Sequence, residues 1–182
     1  MQKVVLSEIS LIHGDVKTPK GFEIDQDKIK NDILSSYASG DRISNNPLDY
    51  SYNDYKVPYS KKLQWLLDYI RDHFKVECEK TLILKSKFAN ILNSKENSLN
   101  KNNVDPVDLR HAPDYTCVYG VDIEGEGELV IEYDDNRKKG RTWHIPLKSN
   151  NFYIFPSTLR YFFKAPNKNK LTTILIITYE FI

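Results

Sequence analysis

The chain has 182 residues, 40% of them hydrophobic and 28% charged, with a formal net charge of +1. That length and balance suit one globular domain (1–182) with a real core and exclude a disordered chain. The near-neutral charge gives no strong signal for nucleic acid or an anionic membrane. No run approaches the roughly 18 consecutive apolar residues of a membrane helix. The N-terminal MQKVVLSEISLIHGD carries charges within its apolar run and has no small-residue cleavage site, so no signal peptide is expected. Cys78 and Cys117 do not stand in metal-type spacing and are expected to be reduced, partly buried thiols of an intracellular protein.

In chain order, residues 1–12 alternate loosely and predict a strand, broken by Gly14 and Pro19–Gly21. Asp25 is an N-cap for a helix in which Ile29, Ile33, Leu34 and Tyr37 fall at helical spacing, with Gly40 as its stop. A polar stretch follows that concentrates Tyr50, Tyr52, Tyr55 and Tyr59. Tyrosine offers large rigid area at low entropic cost, so this loop is a candidate contact to a protein partner or a second copy of the chain; the alternative is a loop laid on the core. Residues 60–74 give the clearest helix, capped by Ser60, with Leu63, Leu66, Leu67, Ile70 and Phe74 as its apolar stripe and His73 in its last turn. A short strand at 81–92 precedes a long polar loop without periodicity, of a length that is often functional.

From Tyr115 the pattern turns to short strands at 8–14-residue spacing with turn punctuation. That is the signature of an all-β sandwich or barrel, here a double-stranded β-helix (jelly-roll) at 115–182. The first hundred residues supply helical support and first strands. The fold class is therefore α+β, mainly β, with the N-terminal helices packed on one sheet. Val118, Val130, Ile131, Ile154, Phe155, Leu175 and Ile177 are expected between two sheets. The GEGE sequence at 125–128 connects two strands and reads as a hairpin turn, because a phosphate loop would lead into a helix and would not carry glutamates. No Ser-His-Asp arrangement is legible around His13, His73, His111 and His144.

Several short pieces recur in a telling order: Phe88-Ala89-Asn90-Ile91, Thr116-Cys117-Val118-Tyr119, Gly127-Glu128-Leu129-Val130 and Phe155-Pro156-Ser157. In this order and spacing, residues 60–182 resemble the 2-oxoglutarate/Fe(II)-dependent dioxygenases, in particular their prolyl-hydroxylase-like and phage-associated members. The resemblance implies a facial triad of two histidines and a carboxylate, which leaves three iron positions open. This sequence departs from it. The distal histidine position, four residues after Ser157, holds Tyr161. The His-x-Asp motif falls either on Asn103-Val104-Asp105, which lacks the histidine, or on His111 and Asp114, which are spaced one residue too widely. The cosubstrate arginine position falls at Lys170, a point charge without the bidentate fork, and Tyr119 is a further cosubstrate candidate. Rescue of the triad would require His144, whose neighbours Trp143 and Ile145 make it a strand histidine facing opposite to both.

These departures predict a dioxygenase scaffold with a degraded iron site and no cofactor, serving as a binding or structural module. The resemblance to phage-encoded members adds a phage protein, cytoplasmic or virion-associated, as an expectation. Two alternatives stand beside it. One is an active oxygenase with an atypical triad that uses Fe(II) and 2-oxoglutarate. The other is a metal-free, cupin-like carbohydrate-binding domain that stacks sugars on Tyr119, Trp143, Tyr153 and Tyr161 at the barrel mouth.

Overall fold

The computed structural model describes residues 9–17, 24–49, 51–104, 108–136, 139–167 and 170–182. The elements in chain order are β1 (Ile12–Asp15), α1 (Gln26–Ser39), β2 (Asp54–Lys56), α2 (Lys61–Cys78), β3 (Leu82–Leu92), β4 (Tyr115–Asp122), β5 (Gly127–Asn136), β6 (Lys139–Leu147), β7 (Asn151–Pro156), β8 (Arg160–Lys164) and β9 (Thr172–Phe181), with one 3₁₀ turn at Leu109–His111. Of the expected strand at 1–12, residues 1–8 lie outside the described residues, and β1 begins where that pattern ends.

Both helices start and stop as their sequences dictate. Asp25 accepts a hydrogen bond from the Lys28 N–H at 2.9 Å, and Gly40, at φ 69°, closes α1 in the left-handed region. Ser60 Oγ accepts from the Leu63 N–H at 3.2 Å. α2 runs on past Phe74 to Cys78 and ends at Glu79, φ 56°. His73 therefore sits ahead of the last turn, where its ring stacks on Tyr69 at 4.2 Å, and Lys75 is the base in that turn. The stripe Leu63, Leu66, Leu67, Ile70 and Phe74 is buried against the larger sheet, together with Ile29 and Ile33 of α1.

The larger sheet has six strands in the order β1-β7-β4-β9-β3-β2, and the smaller has three in the order β6-β5-β8. Every pairing is antiparallel. After β4 the chain alternates between the sheets: β5 and β6 in the small one, β7 in the large, β8 in the small, β9 in the large. This is the double-stranded β-helix. The first ninety residues contribute three of the six strands of the large sheet, with β3 paired along its length to the central β9. β9 is buried on both faces along most of its length, as its apolar and β-branched run requires.

The topology corrects one expectation. GEGE is not a hairpin turn. β4 pairs with β7 and β9, whereas β5 pairs with β6 and β8, so residues 123–126 carry the chain from one sheet to the other. Gly125, φ 100°, supplies the backbone step. A second glycine is required by close approach. A Cβ on Gly120 would lie 2.1 Å from the Lys148 carbonyl oxygen, where the chain returns from β6 to β7 and the Asn150 N–H bonds the Gly120 carbonyl.

Two cores result. One lies between the sheets and holds Val118, Leu129, Ile131, Phe155, Tyr161, Phe163, Ile174 and Ile176. The other lies between the large sheet and the helices. Ile154, Leu175 and Ile177 are buried as expected but face the helices, since alternate residues of a strand face opposite ways. Val130 is buried too and stands in register with His144 and Phe162, facing away from the inter-sheet core.

Candidate functional site

The space between the sheets is not uniformly apolar. Ser86, Thr178 and Thr116 stand in register across β3, β9 and β4, on the inward face. The extended segment 97–103 lies along the outer edge of β8, where Lys101 and Tyr161 exchange backbone hydrogen bonds of 2.7 and 3.0 Å. That segment delivers Lys101 and Asn103 into the interior.

Asn103 sits at the centre of the first polar cluster. Its Nδ2 donates to Thr116 Oγ1 at 2.8 Å and to Tyr161 Oη at 3.0 Å. Thr116 Oγ1 in turn lies 2.9 Å from Ser157 Oγ. Tyr161, Thr116 and Ser157 are all buried. Each member of this cluster is hydrogen-bonded to at least one other, as buried polar groups require.

The second cluster adjoins it. Lys101 Nζ donates to both carboxylate oxygens of Asp54 at 2.6 and 2.7 Å, and each side chain is 3% exposed. Asn90 Nδ2 donates to Asp54 Oδ1 at 3.0 Å, while Asn90 Oδ1 is buried without a partner among the described residues. Burial pushes the Asp54 carboxyl above its usual range, and Lys101 and Asn90 oppose that shift. A cleft of about 340 Å³ opens beside both clusters, bordered by Asp54, Ser86, Phe88, Asn103, Pro113 and Thr178.

Of the residues singled out in the sequence, the structure brings Asn103 and Tyr161 into direct contact; Asp105 lies outside the described residues. The others are elsewhere. His111 is exposed on the 3₁₀ turn, with Nδ1 2.9 Å from the Asp108 carboxylate. Asp114 is exposed and caps the end of β9 by accepting from the Phe181 N–H at 3.1 Å. His144 lies on the outer face of the small sheet, opposite in sense to Trp143 and Ile145, and its Nδ1 meets Glu128 at 2.9 Å. That contact and Lys164 hold the Glu128 carboxyl below its usual range. Lys170 is exposed and pairs with Glu124 at 2.8 Å. Tyr119 faces the helices rather than the interior, where its hydroxyl donates to Asn150 Oδ1 and accepts from Gln26 Nε2. Trp143 does reach the inter-sheet mouth, 40% exposed and stacked on Tyr133 at 5.5 Å.

The tyrosine-rich segment divides. Tyr55 is core, edge-on to Tyr37 at 5.1 Å and beneath the helices. Tyr52 is half-buried under the Arg42 guanidinium at 3.9 Å, and Tyr59 is 70% exposed. Tyr50 lies outside the described residues.

Sequence reasoning has no handle on Asp54 and Lys101. Both lie in polar stretches without periodicity, and only the unusual length of the 93–114 loop signals that something is held there.

No family model and no curated protein matches the sequence. The fold has many solved counterparts. A prolyl hydroxylase from Trichoplax adhaerens, in complex with a hypoxia inducible factor oxygen degradation domain peptide fragment, superposes with a TM-score of 0.61 at 12% identity, covering 92% of this chain and 83% of that one. A prolyl-4-hydroxylase from Pseudomonas putida gives 0.61 at 11% identity, over 93% and 91%. The non-heme alpha ketoglutarate dependent carbocyclase SnoK from nogalamycin biosynthesis gives 0.63 at 10%, over 94% and 79%. The architecture is thus that of a mainly antiparallel double-stranded β-helix backed by helices. More narrowly, it is the fold of the 2-oxoglutarate/Fe(II)-dependent oxygenases.

Proposed function

We propose that this chain is an oxygenase-fold protein whose iron site has been replaced by a neutral hydrogen-bonded network, and that it works as a non-catalytic binding or structural module. The observation that carries the reading is the 3.0 Å hydrogen bond between Asn103 and Tyr161. Tyr161 stands at the distal histidine position of the resemblance and Asn103 at the proximal one in the first of its two placements, and here they hold each other. The donor set does not fit Fe(II). A facial triad needs two imidazoles, and all four histidines are exposed; only His13 stands on the inward face, stacked on Tyr153 at 6.4 Å, and the other three lie elsewhere. A phenol that keeps its proton is a poor ligand for Fe(II). Lys170, the candidate for a cosubstrate carboxylate, is committed to Glu124 at the surface.

Incubation with Fe(II), ascorbate and 2-oxoglutarate is expected to give no succinate above background. Metal-dependent succinate formation would overturn the proposal. A second measurement probes the site directly. Asn103→His combined with Tyr161→His returns two imidazoles to adjoining positions, so Co(II) or Mn(II) should raise the thermal midpoint of the double variant and leave the parent unmoved, since a ligand bound only by the folded state stabilises by RT ln(1 + [L]/Kd). A metal-induced rise in the parent equal to that of the variant counts against the reading.

A further inference from the structure

Asp54 and Lys101, 2% and 3% exposed, are the two buried charged residues among the described ones, and Asn90, 1% exposed, joins them. Asp54 on β2 and Asn90 on β3 stand in register, and the segment 97–103 brings the Lys101 amine to the same carboxylate from the β8 side.

Asp54 Oδ1 is shared. It accepts from Lys101 Nζ at 2.7 Å and from Asn90 Nδ2 at 3.0 Å, while Oδ2 accepts from Nζ at 2.6 Å. An amine and a primary amide are thus held on one oxygen in a buried setting, with the Phe88 ring centre 5.8 Å from Nζ. Asn90 Nδ2 also reaches the Asn53 carbonyl at 3.3 Å, but Asn90 Oδ1 has no partner among the described residues. As an ion pair the cluster is poorly satisfied: two charges are desolvated and one acceptor is orphaned.

We infer that Lys101 and Asn90 condense into an intramolecular amide (isopeptide) bond, with Asp54 as the catalytic proton relay. A proton first passes from Lys101 Nζ to Asp54 within the ion pair, leaving a neutral amine and a carboxylic acid. A low dielectric favours that neutral form, and burial pushes the Asp54 carboxyl above its usual range. The Nζ lone pair then forms a bond to Asn90 Cγ. Asp54 gives its proton to Nδ2 and takes one from Nζ. The Cγ–Nδ2 bond breaks with its electron pair on nitrogen, and ammonia departs. No oxidant, reductant or further reactant is consumed. The geometry suits the step, since one carboxylate touches both the nitrogen that must lose protons and the nitrogen that must gain one. Holding both reactants on that carboxylate replaces a bimolecular encounter. Afterwards both charges are gone, and the protonated Asp54 has an O–H to donate where Asn90 Oδ1 lacks a donor. The ion pair is the reactant state, and the linked form accumulates from it. The bond ties β3 of the large sheet to the segment beside β8 of the small one, and it does not rest on the iron reading.

The test is the mass of the full chain, measured unfolded, when freshly purified and after several days of incubation in the folded state. The parent is expected to fall short of its sequence mass by one ammonia. Trypsin should then yield a species in which residues 88–95 are joined to 96–110, because an acylated Lys101 is no longer cut. That species separates the cross-link from ammonia lost elsewhere, as by cyclisation at Gln2 or succinimide formation at another asparagine. Lys101→Arg keeps a cation for Asp54 but offers no nucleophilic amine, so it should keep the full mass and still melt cooperatively. Asp54→Ala should slow the loss by at least about a hundredfold. A parent that keeps its full mass after incubation, or ammonia loss that maps only to other residues, overturns the inference, and so does loss at the parent's rate in Asp54→Ala. Each of those results leaves the iron reading standing, and succinate production would leave the cross-link standing.

Discussion

The two faces of the large sheet are built from the same strands and differ in kind. The face toward the helices is mainly apolar, with Ala89, Ile91, Cys117, Ile154, Leu175 and Ile177 packed under the stripe of α2 and isolated hydroxyls at Tyr119, Thr173 and Tyr179. The inward face mixes Val118, Ile174 and Ile176 with Ser86, Asn90, Thr116 and Thr178, and it closes over a buried ion pair. A purely structural interior would resemble the first face, because each buried polar group costs free energy unless it is partnered. Polarity is concentrated on the inward face, and most of it is satisfied internally.

The contrast breaks hardest at Lys101. Replacing it with Met leaves Asp54 buried and unpaired, which is expected to cost about 3–5 kcal/mol at neutral pH in a urea melt. Adding Asp54→Asn to Lys101→Met should return much of that, because removing both charges also removes their desolvation. The sign of the pH effect follows from the upward-shifted carboxyl. Its contribution is fully present below the unfolded value and is lost as pH rises through the raised folded value. Without Lys101 the folded value rises further, so the deficit of Lys101→Met should shrink on acidification. A deficit that stays constant with pH means that only packing was lost.

On the helix face the corresponding change is Leu66→Ala. Leu66 is wholly buried, and its truncation removes transfer energy and leaves a cavity, for an expected loss of about 2–5 kcal/mol. Here the loss should not depend on pH in the acid range, since the stripe that surrounds it carries no titrating group. A pH-dependent loss at Leu66 would erase the distinction between the two faces.

The helix face was legible in the sequence and the inward face largely was not, for reasons of range. Asp25, Gly40 and Ser60 act on residues within a turn of themselves, and the α2 stripe repeats at helical spacing, so local pattern suffices. The facing of His144 followed from simple alternation. β4 defeats that rule. Its run from Thr116 to Val121 is buried throughout, so nothing in its pattern reveals that Val118 faces the small sheet and Tyr119 the helices. GEGE marked a turn, but a turn does not reveal which sheet the next strand joins. Asp54 and Lys101 meet across 47 residues through two polar stretches, and no local signal links them. Asn103 and Tyr161 became legible only through the family resemblance, which set Tyr161 on the distal histidine position and Asn103 on the proximal one in one of two placements.

The smallest expected effects come from the two tyrosines that the sequence placed together and the structure sets on opposite faces. Tyr161→Phe removes the hydroxyl that accepts from Asn103, while Asn103 keeps its bond to Thr116, so about 1 kcal/mol is expected, with faster hydrogen exchange confined to residues 101–103. Tyr119→Phe removes a hydroxyl that ties Gln26 of α1 to Asn150, at a similar cost, with the faster exchange appearing in the first turn of α1. The two separate further at alkaline pH. Burial pushes the Tyr119 phenol from 10.0 up to about 12. As an acid raised by folding, it lends stability that is complete below the unfolded value and lost as pH climbs from about 10 toward 12. Tyr119→Phe should therefore flatten the fall in stability over that window. If Tyr119→Phe instead loosens residues 101–103, or leaves the alkaline slope unchanged, Tyr119 does not belong to the helix face, and the division of the sheet into a packing side and a site side fails with it.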